Sequence, residues 1–323
     1  MDEIKVSVLC TVYNHEKYLR NCLDGIVEQK TNFKYELLVH DDASTDNSAK
    51  IIKEYELKYP DIVKPIYQTE NQYSKKPAGG IINNFLVPKA KGRYFAICEG
   101  DDFWTDENKL QMQFDYMEQN DDCFLVATDG IINDMVIGEQ YYQERSKKDR
   151  DFSLSECILG GGGLFLTCSF FMRKEVKTTM PACFNCESIG DYQIPFYAAV
   201  LGRVHYIAKA TCQYNYGVAG SWSVNQNINT QIKLNNELID MLGRIDIYYN
   251  HKYEKILDRR KRQLEYDLCL LKQDYKKAYK EYKDIFDENG IKHKIKVYVG
   301  VFFPKILAFI LKYKRKVIKT KLG

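Results

Sequence analysis

Three carboxylates fall within four residues in Cys98-Glu99-Gly100-Asp101-Asp102, directly after the apolar run Tyr94-Phe95-Ala96-Ile97. Neighbouring carboxylates repel unless a proton or a cation relieves them. Hard divalent cations such as Mn2+ or Mg2+ prefer carboxylate and phosphate oxygens. A cation on Asp101 and Asp102 would therefore bridge to a diphosphate and neutralise it as it departs. Two more polar clusters follow apolar runs. Thr11, Val12, Tyr13 and Asn14 come after Val6-Ser7-Val8-Leu9-Cys10, and Asp41-Asp42 comes after Tyr35-Glu36-Leu37-Leu38-Val39-His40. An acid after a strand also serves as a helix cap or turn former, the role expected of Asp46 and Asp106.

These clusters need elements to hold them together. Apolar runs at 6–10, 35–40, 62–67, 94–98 and 124–127 read as strands. Helical spacing joins Leu19, Cys22, Leu23 and Ile26, then Ala49, Ile52 and Tyr55, then Leu110, Phe114 and Met117. Strands alternating with helices predict right-handed βαβ units and a mostly parallel sheet. In such sheets ligands bind at the carboxyl ends of the strands. All three clusters belong to that edge, facing a shared crevice.

Several other chemistries lack their residues. No GxxxxGK[ST] loop and no GxGxxG turn occurs. The four glycines at 160–163 precede Leu-Phe-Leu-Thr without a Lys and read as a flexible loop. Phe165 to Phe171 reads as core, with an acceptor-lining role as the alternative. Cys183-Phe-Asn-Cys186 has no second ligand pair with zinc spacing. The five histidines show no metal spacing; His15 and His40 read as turn or packing residues beside the crevice. Ten cysteines without a framework spacing fit a reducing cytoplasm, and the start carries no signal-peptide pattern. With 45% hydrophobic residues and 7 prolines the chain is neither disordered nor fibrous.

Four segments carry a resemblance. VSVLCTVYNHEKYLRNCLDGI, YELLVHDDASTDNS, AKGRYFAICEGDDFWTDENKLQMQFDYME and ESIGDYQIPFYAAVLGRVHYI resemble successive motifs of family 2 glycosyltransferases. They stand in the family's order across residues 4–225. The resemblance implies a GT-A fold, an α/β/α sandwich with a mostly parallel central sheet, and an inverting, nucleotide-sugar-dependent reaction. Thr11, Tyr13 and Asn14 would line the nucleotide pocket beside Asp41, and Asp42 would hydrogen-bond the base. Glu99, Gly100, Asp101 and Asp102 would form the acidic metal motif. Glu99 stands where the family usually has Asp, so metal ligation is assigned to Asp101 and Asp102, with the choice between them open. Asp191 matches the family's general base; a helix cap is the plainer alternative. The Gln-x-x-Arg-Trp motif of processive members is absent, which implies transfer of a single sugar. Trp222, in a loop like that of single-transfer members, would stack on a sugar, cover the site or pack structurally. UDP is the expected carrier, with a glycan or lipid-linked acceptor. A sugar nucleotidyltransferase and a non-catalytic glycan-binding scaffold are the rival readings.

The expected domains are a catalytic domain at 1–230, a helical extension at 231–290 and a basic amphipathic tail at 291–323. Leu264, Leu268, Leu271 and Tyr275 give the extension an apolar face. The whole chain has net charge +3, yet ten Lys/Arg and no Asp/Glu lie from Ile291 onward. The body is thus net negative and the tail strongly positive. The tail's apolar part, 297–311, is interrupted by Pro304-Lys305 and falls short of the roughly 20 residues a span needs. It reads as an interfacial helix on an anionic leaflet, at the cytoplasmic face of the plasma membrane. Packing as a terminal helix is the alternative. No nucleic-acid-binding module is evident.

Overall fold

The computed structural model describes residues 3–75, 77, 79–186, 190–218, 221, 224 and 227–303. The chain divides into two compact units, Met1–Asn225 and Gln226–Gly323.

The first unit is built on a ten-stranded sheet: β1 (Ile4–Val12), β2 (Lys34–Asp41), β3 (Val63–Tyr67), β4 (Tyr94–Ile97), β5 (Phe103–Trp104), β6 (Cys123–Asp134), β7 (Glu139–Tyr142), β8 (Arg150–Phe152), β9 (Phe171–Arg173) and β10 (Arg203–Tyr216). Its order is β3-β2-β1-β4-β9-β6-β10-β5, with β7 on β6 and β8 on β10. The pairs β1–β2, β2–β3, β1–β4 and β6–β10 are parallel. The strands β9, β5, β7 and β8 add antiparallel pairings around that parallel framework. The short β5 and β8 leave no periodicity to read in a sequence, and β6 continues past residue 127 to Asp134.

Alternation along β1 explains the layering. Val6, Val8, Cys10 and Val12 face one side. There they meet α1 (Leu19–Val27) through Leu19, Cys22, Leu23 and Ile26, α2 (Ser48–Lys58) through Ile51, Ile52 and Tyr55, and α3 (Lys109–Gln119) through Leu110, Phe114 and Met117. Leu9 faces the other side with Phe95, Ile97 and Leu125. That side is covered by α4 (Leu154–Gly160), α5 (Glu175–Thr178) and α6 (Gln193–Leu201) through Cys157, Val176, Ile194 and Ala198. Each fully buried Leu or Ile contributes roughly 1.5–3 kcal/mol. The result is an α/β/α sandwich of the GT-A type. Helix α3 begins at Lys109, after Phe103 and Trp104 have paired with Gln213 and Cys212.

In the second unit α7 (Ile228–Tyr248) packs with α8 (Glu254–Leu271). The short α9 (Tyr275–Glu281) and α10 (Lys283–Glu288) and the last described helix, α11 (Ile291–Phe302), complete it. Tyr266, Cys269, Tyr275, Tyr282, Phe286 and Val297 form its buried cluster. Among the described residues no helix is long and apolar enough to cross a membrane.

Candidate active site

Strand register brings the three polar clusters to one edge. Val12 pairs with Asp41, and Leu9 pairs with Ile97, so β1, β2 and β4 end side by side. The loops are then stitched together. Asp42 N–H donates to Val12 O at 2.9 Å, and Gly100 N–H donates to Thr11 O at 2.9 Å. Gly100 must lack a side chain, since a Cβ would lie 2.9 Å from both His15 Nδ1 and Val12 Cγ2.

Asn14 joins the first two loops. It adopts φ 57°, a left-handed conformation that Asn tolerates better than most residues. Its Oδ1 accepts from Thr45 N–H at 2.7 Å, and its own N–H donates to Ser44 Oγ at 3.0 Å. Tyr13 beside it is 44% exposed. Asp42 is buried, and its two oxygens accept the N–H groups of Gln72 and Tyr73 at 2.7 and 2.9 Å. It therefore orders the loop after β3. Asp41 is buried too, with Oδ1 lacking a hydrogen-bond partner, and burial raises its pKa.

Glu99, Asp101 and Asp102 each bring a carboxylate oxygen within 4.8 Å of the others. Burial, then Asp101, then Asp191 push the Glu99 carboxyl up to about 8. Asp102 is 1% exposed, and burial followed by the charges of Asp101 and Glu99 pushes it well above its ordinary value. Its Oδ1 accepts Asn215 N–H at 2.9 Å, while Oδ2 is buried without a partner. An orphaned buried carboxylate oxygen amid two other carboxylates fits a divalent cation, which would supply the missing partner and relieve the repulsion. His15 Nε2 lies 3.9 Å from Asp101 Oδ2, placing that histidine against the cluster. His40 instead lies within the structure, its Nε2 at 3.1 Å from Gln68 Nε2 and its ring against Phe85.

Asp191 precedes α6. Its Oδ1 accepts Tyr192 N–H at 2.8 Å, and burial raises the carboxyl to about 6. The four glycines are not the flexible loop their composition suggests. Gly160 ends α4, and Gly161–Gly163 form a 3-10 turn. A Cβ on Gly162 would stand 2.9 Å from both Asp191 carboxylate oxygens. The turn thus packs backbone against that acid. Phe165, Leu166, Phe170 and Phe171 are core residues. Trp222 lies outside the described residues.

Residues 7–178 match the family described as Glycosyl transferase family 2. The chain belongs to that family. It is 40% identical over 124 residues to an uncharacterized protein of Mycobacterium tuberculosis, a stretch that is 37% of this chain and 34% of the other. It is 33% identical over 133 residues to the Escherichia coli UDP-Glc:alpha-D-GlcNAc-diphosphoundecaprenol beta-1,3-glucosyltransferase WfgD, covering 41% and 49% of the two chains. The chain therefore spans only about a third to a half of the length of these relatives. Residues 1–349 of Staphylococcus aureus TarS, solved with UDP-GlcNAc, superimpose with TM-score 0.59 at 16% identity over 92% of this chain and 79% of that one. The Pyrobaculum calidifontis mannosyltransferase PcManGT, solved with GDP-Man and Mn2+, gives TM-score 0.57 at 14% identity over 96% and 85%. These likenesses show the GT-A-like fold.

Within this family 2 glycosyltransferase, sequence reasoning missed Asn215 and Gly162. Asn215 lies 113 residues from Asp102 in the chain, and only the pairing of β10 brings it there. The glycine run was visible, but its partner Asp191 was not deducible from composition.

Proposed function

We propose that this chain transfers a single sugar from a nucleoside-diphosphate donor, UDP-linked, to a glycan or lipid-linked acceptor in surface polysaccharide synthesis, with inversion. The observation that carries this reading is the cluster of half-buried Glu99 and Asp101 with buried Asp102, whose Oδ2 is unpartnered, at the common edge of β1, β2 and β4. Asp101 and Asp102 would hold Mn2+ or Mg2+. When bound, that cation supplies charge neutralisation for the departing diphosphate. Thr11, Tyr13, Asn14 and Asp41 line the nucleotide side, and Asp42 serves the base while ordering the loop at Gln72 and Tyr73. Trp222 is assigned to the sugar or to closing the site.

Asp191 acts as the base. Its carboxylate takes the proton of the acceptor hydroxyl while that oxygen forms a bond to the anomeric carbon. The bond from that carbon to the diphosphate breaks on the opposite face, and UDP leaves. A base raised to about 6 is ionised at neutral pH yet basic enough to accept a proton in the transition state. The reading assigns catalysis to residues 1–230, a supporting role to 231–290 and peripheral membrane contact at the cytoplasmic face to 291–323. Support for the last comes from α11, where Ile291, Ile295, Tyr298 and Phe302 are exposed at helical spacing.

Calorimetric titration of UDP and of GDP, with Mn2+ and then with EDTA, tests the donor assignment. Mn2+-dependent binding of UDP is expected. Binding of GDP instead corrects the nucleotide, and binding of neither by the folded protein favours the scaffold reading.

A further inference from the structure

Asn215 ties the acidic cluster to a row of amides that crosses three strands. Its backbone N–H donates to Asp102 Oδ1 at 2.9 Å, and its side-chain Nδ2 donates to the Asp101 carbonyl at 2.5 Å. One residue thus holds both acids, one by the carboxylate and the other by the peptide group behind it. The residue is only 4% exposed. Its Oδ1 accepts from Asn133 Nδ2 at 2.9 Å and from Gln213 Nε2 at 3.0 Å, which fills both lone pairs. Asn133 Oδ1 in turn accepts from Gln140 Nε2 at 3.2 Å.

The sheet register accounts for this row. Asn215 on β10 pairs with Asn133 on β6, and Asn133 pairs with Gln140 on β7. Cross-strand partners share a face of the sheet, so the three amides form a line running away from the acids. Gln213 lies two residues before Asn215 and projects to the same face. Each amide is both donor and acceptor, so the row can run in one direction without adding charge. An Asp at 215 could not donate to the Asp101 carbonyl and would place a fourth carboxylate among three already crowded ones.

We infer that Asn215 is a positioning residue for the cation site, and that Asn133 supports it from one strand further away. The row sets the orientation of the Asp101-Asp102 peptide and leaves Asp102 Oδ2 as the free ligand atom. Without it the two acids sit on a short loop between Ile97 and Phe103, where their mutual repulsion favours turning apart. Groups that orient metal ligands from behind are worth about 10–100-fold in metal affinity. The inference rests on the metal-dependent reading above, which the experiment tests separately.

Mn2+ is titrated into the full chain, alone and with UDP present, and free Mn2+ is followed by electron paramagnetic resonance. Wild type is compared with Asn215→Ala and Asn133→Ala, with metal-free melting curves for each. Asn215→Ala keeps the backbone N–H to Asp102 but loses every side-chain bond. It is expected to bind Mn2+ about 10–100-fold more weakly while remaining folded. Asn133→Ala, which touches no carboxylate, is expected to weaken Mn2+ in the same direction by a smaller factor. If wild type binds Mn2+ and both variants match it, the positioning role is wrong and the metal-dependent reading stands. Should wild type bind no Mn2+ under either condition, both fall. If Asn215→Ala does not fold, Asn133→Ala decides, and unchanged Mn2+ affinity there overturns the inference.

Discussion

Asp102 is a poor residue for stability, and that is informative. It is buried among like charges with one oxygen unsatisfied, an arrangement that costs folding energy unless something binds there. Replacing it with Asn keeps the acceptor for Asn215 N–H and removes the charge. Asp102→Asn is therefore expected to melt no lower than wild type without metal, yet to lose the rise in melting temperature that Mn2+ gives wild type. A variant that retains the full Mn2+ shift refutes ligation by Asp102. The pH dependence has a definite sign. Glu99 has its carboxyl raised from 4.5 to about 8 in the fold, so its protonated form stabilises the protein, and that contribution is lost as pH rises across this interval. Metal-free protein should consequently melt lower at about pH 8 than at about pH 5, and the gain from Mn2+ should be larger at the higher value. Asp191 makes a separate prediction about rate. Asp191→Asn should lower transfer by about 10²–10⁴-fold and leave Mn2+-dependent nucleotide binding intact. In the proposed role as base Asp191 works deprotonated, and with its pKa raised to about 6 wild-type kcat/KM should fall as pH drops through that value. The residual rate of Asp191→Asn should not show that fall.

At the scale of elements, the three-strand edge was readable because β1, β2 and β4 are apolar runs that end abruptly in polar clusters, and parallel βαβ connection leaves one edge for those ends. What escaped was the contribution of elements far along the chain. Two-residue β5 gives no period, and Asn215 belongs to a strand whose partner β6 lies some eighty positions earlier in sequence. The turn after α4 was misread for a similar reason: glycine signals backbone freedom or close approach, and only the fold tells which. Here it is close approach to Asp191. Gly162→Ala inserts a methyl 2.9 Å from both carboxylate oxygens, tighter than ordinary contact, and must displace them. With Asp191 as the proposed base, a displacement on the order of 1 Å costs about 100-fold in rate. Gly162→Ala should therefore lose most of its activity while its melting temperature and Mn2+-dependent nucleotide affinity stay near wild type. Gly163→Ala, where a Cβ meets nothing within 4 Å, is the control and should be near wild type in rate. Equal rates in the two variants would remove the turn from the catalytic geometry.

Charge is distributed unevenly over the molecule as a whole. A net charge of +3 conceals ten basic and no acidic residues from Ile291 onward, against an acidic excess in the rest. An acidic body is repelled by an anionic leaflet, so the proposed peripheral attachment is assigned to the basic end. Two contributions then act together: electrostatic attraction, worth about 1 kcal/mol per Lys or Arg near the surface, and burial of apolar side chains in the interface. Ile295 and Phe302 of α11 are 56% and 60% exposed and would supply the second. The full chain should therefore sediment with vesicles containing about 30% anionic phospholipid and stay in solution with purely zwitterionic ones. Raising salt from about 0.1 M to about 1 M shortens the screening length roughly threefold and should release most of it. The double substitution Ile295→Ser and Phe302→Ser should weaken binding to anionic vesicles at both salt concentrations without altering Mn2+-dependent nucleotide affinity. If that variant binds like wild type while salt still releases it, attachment is electrostatic alone and the apolar stripe of α11 serves another partner.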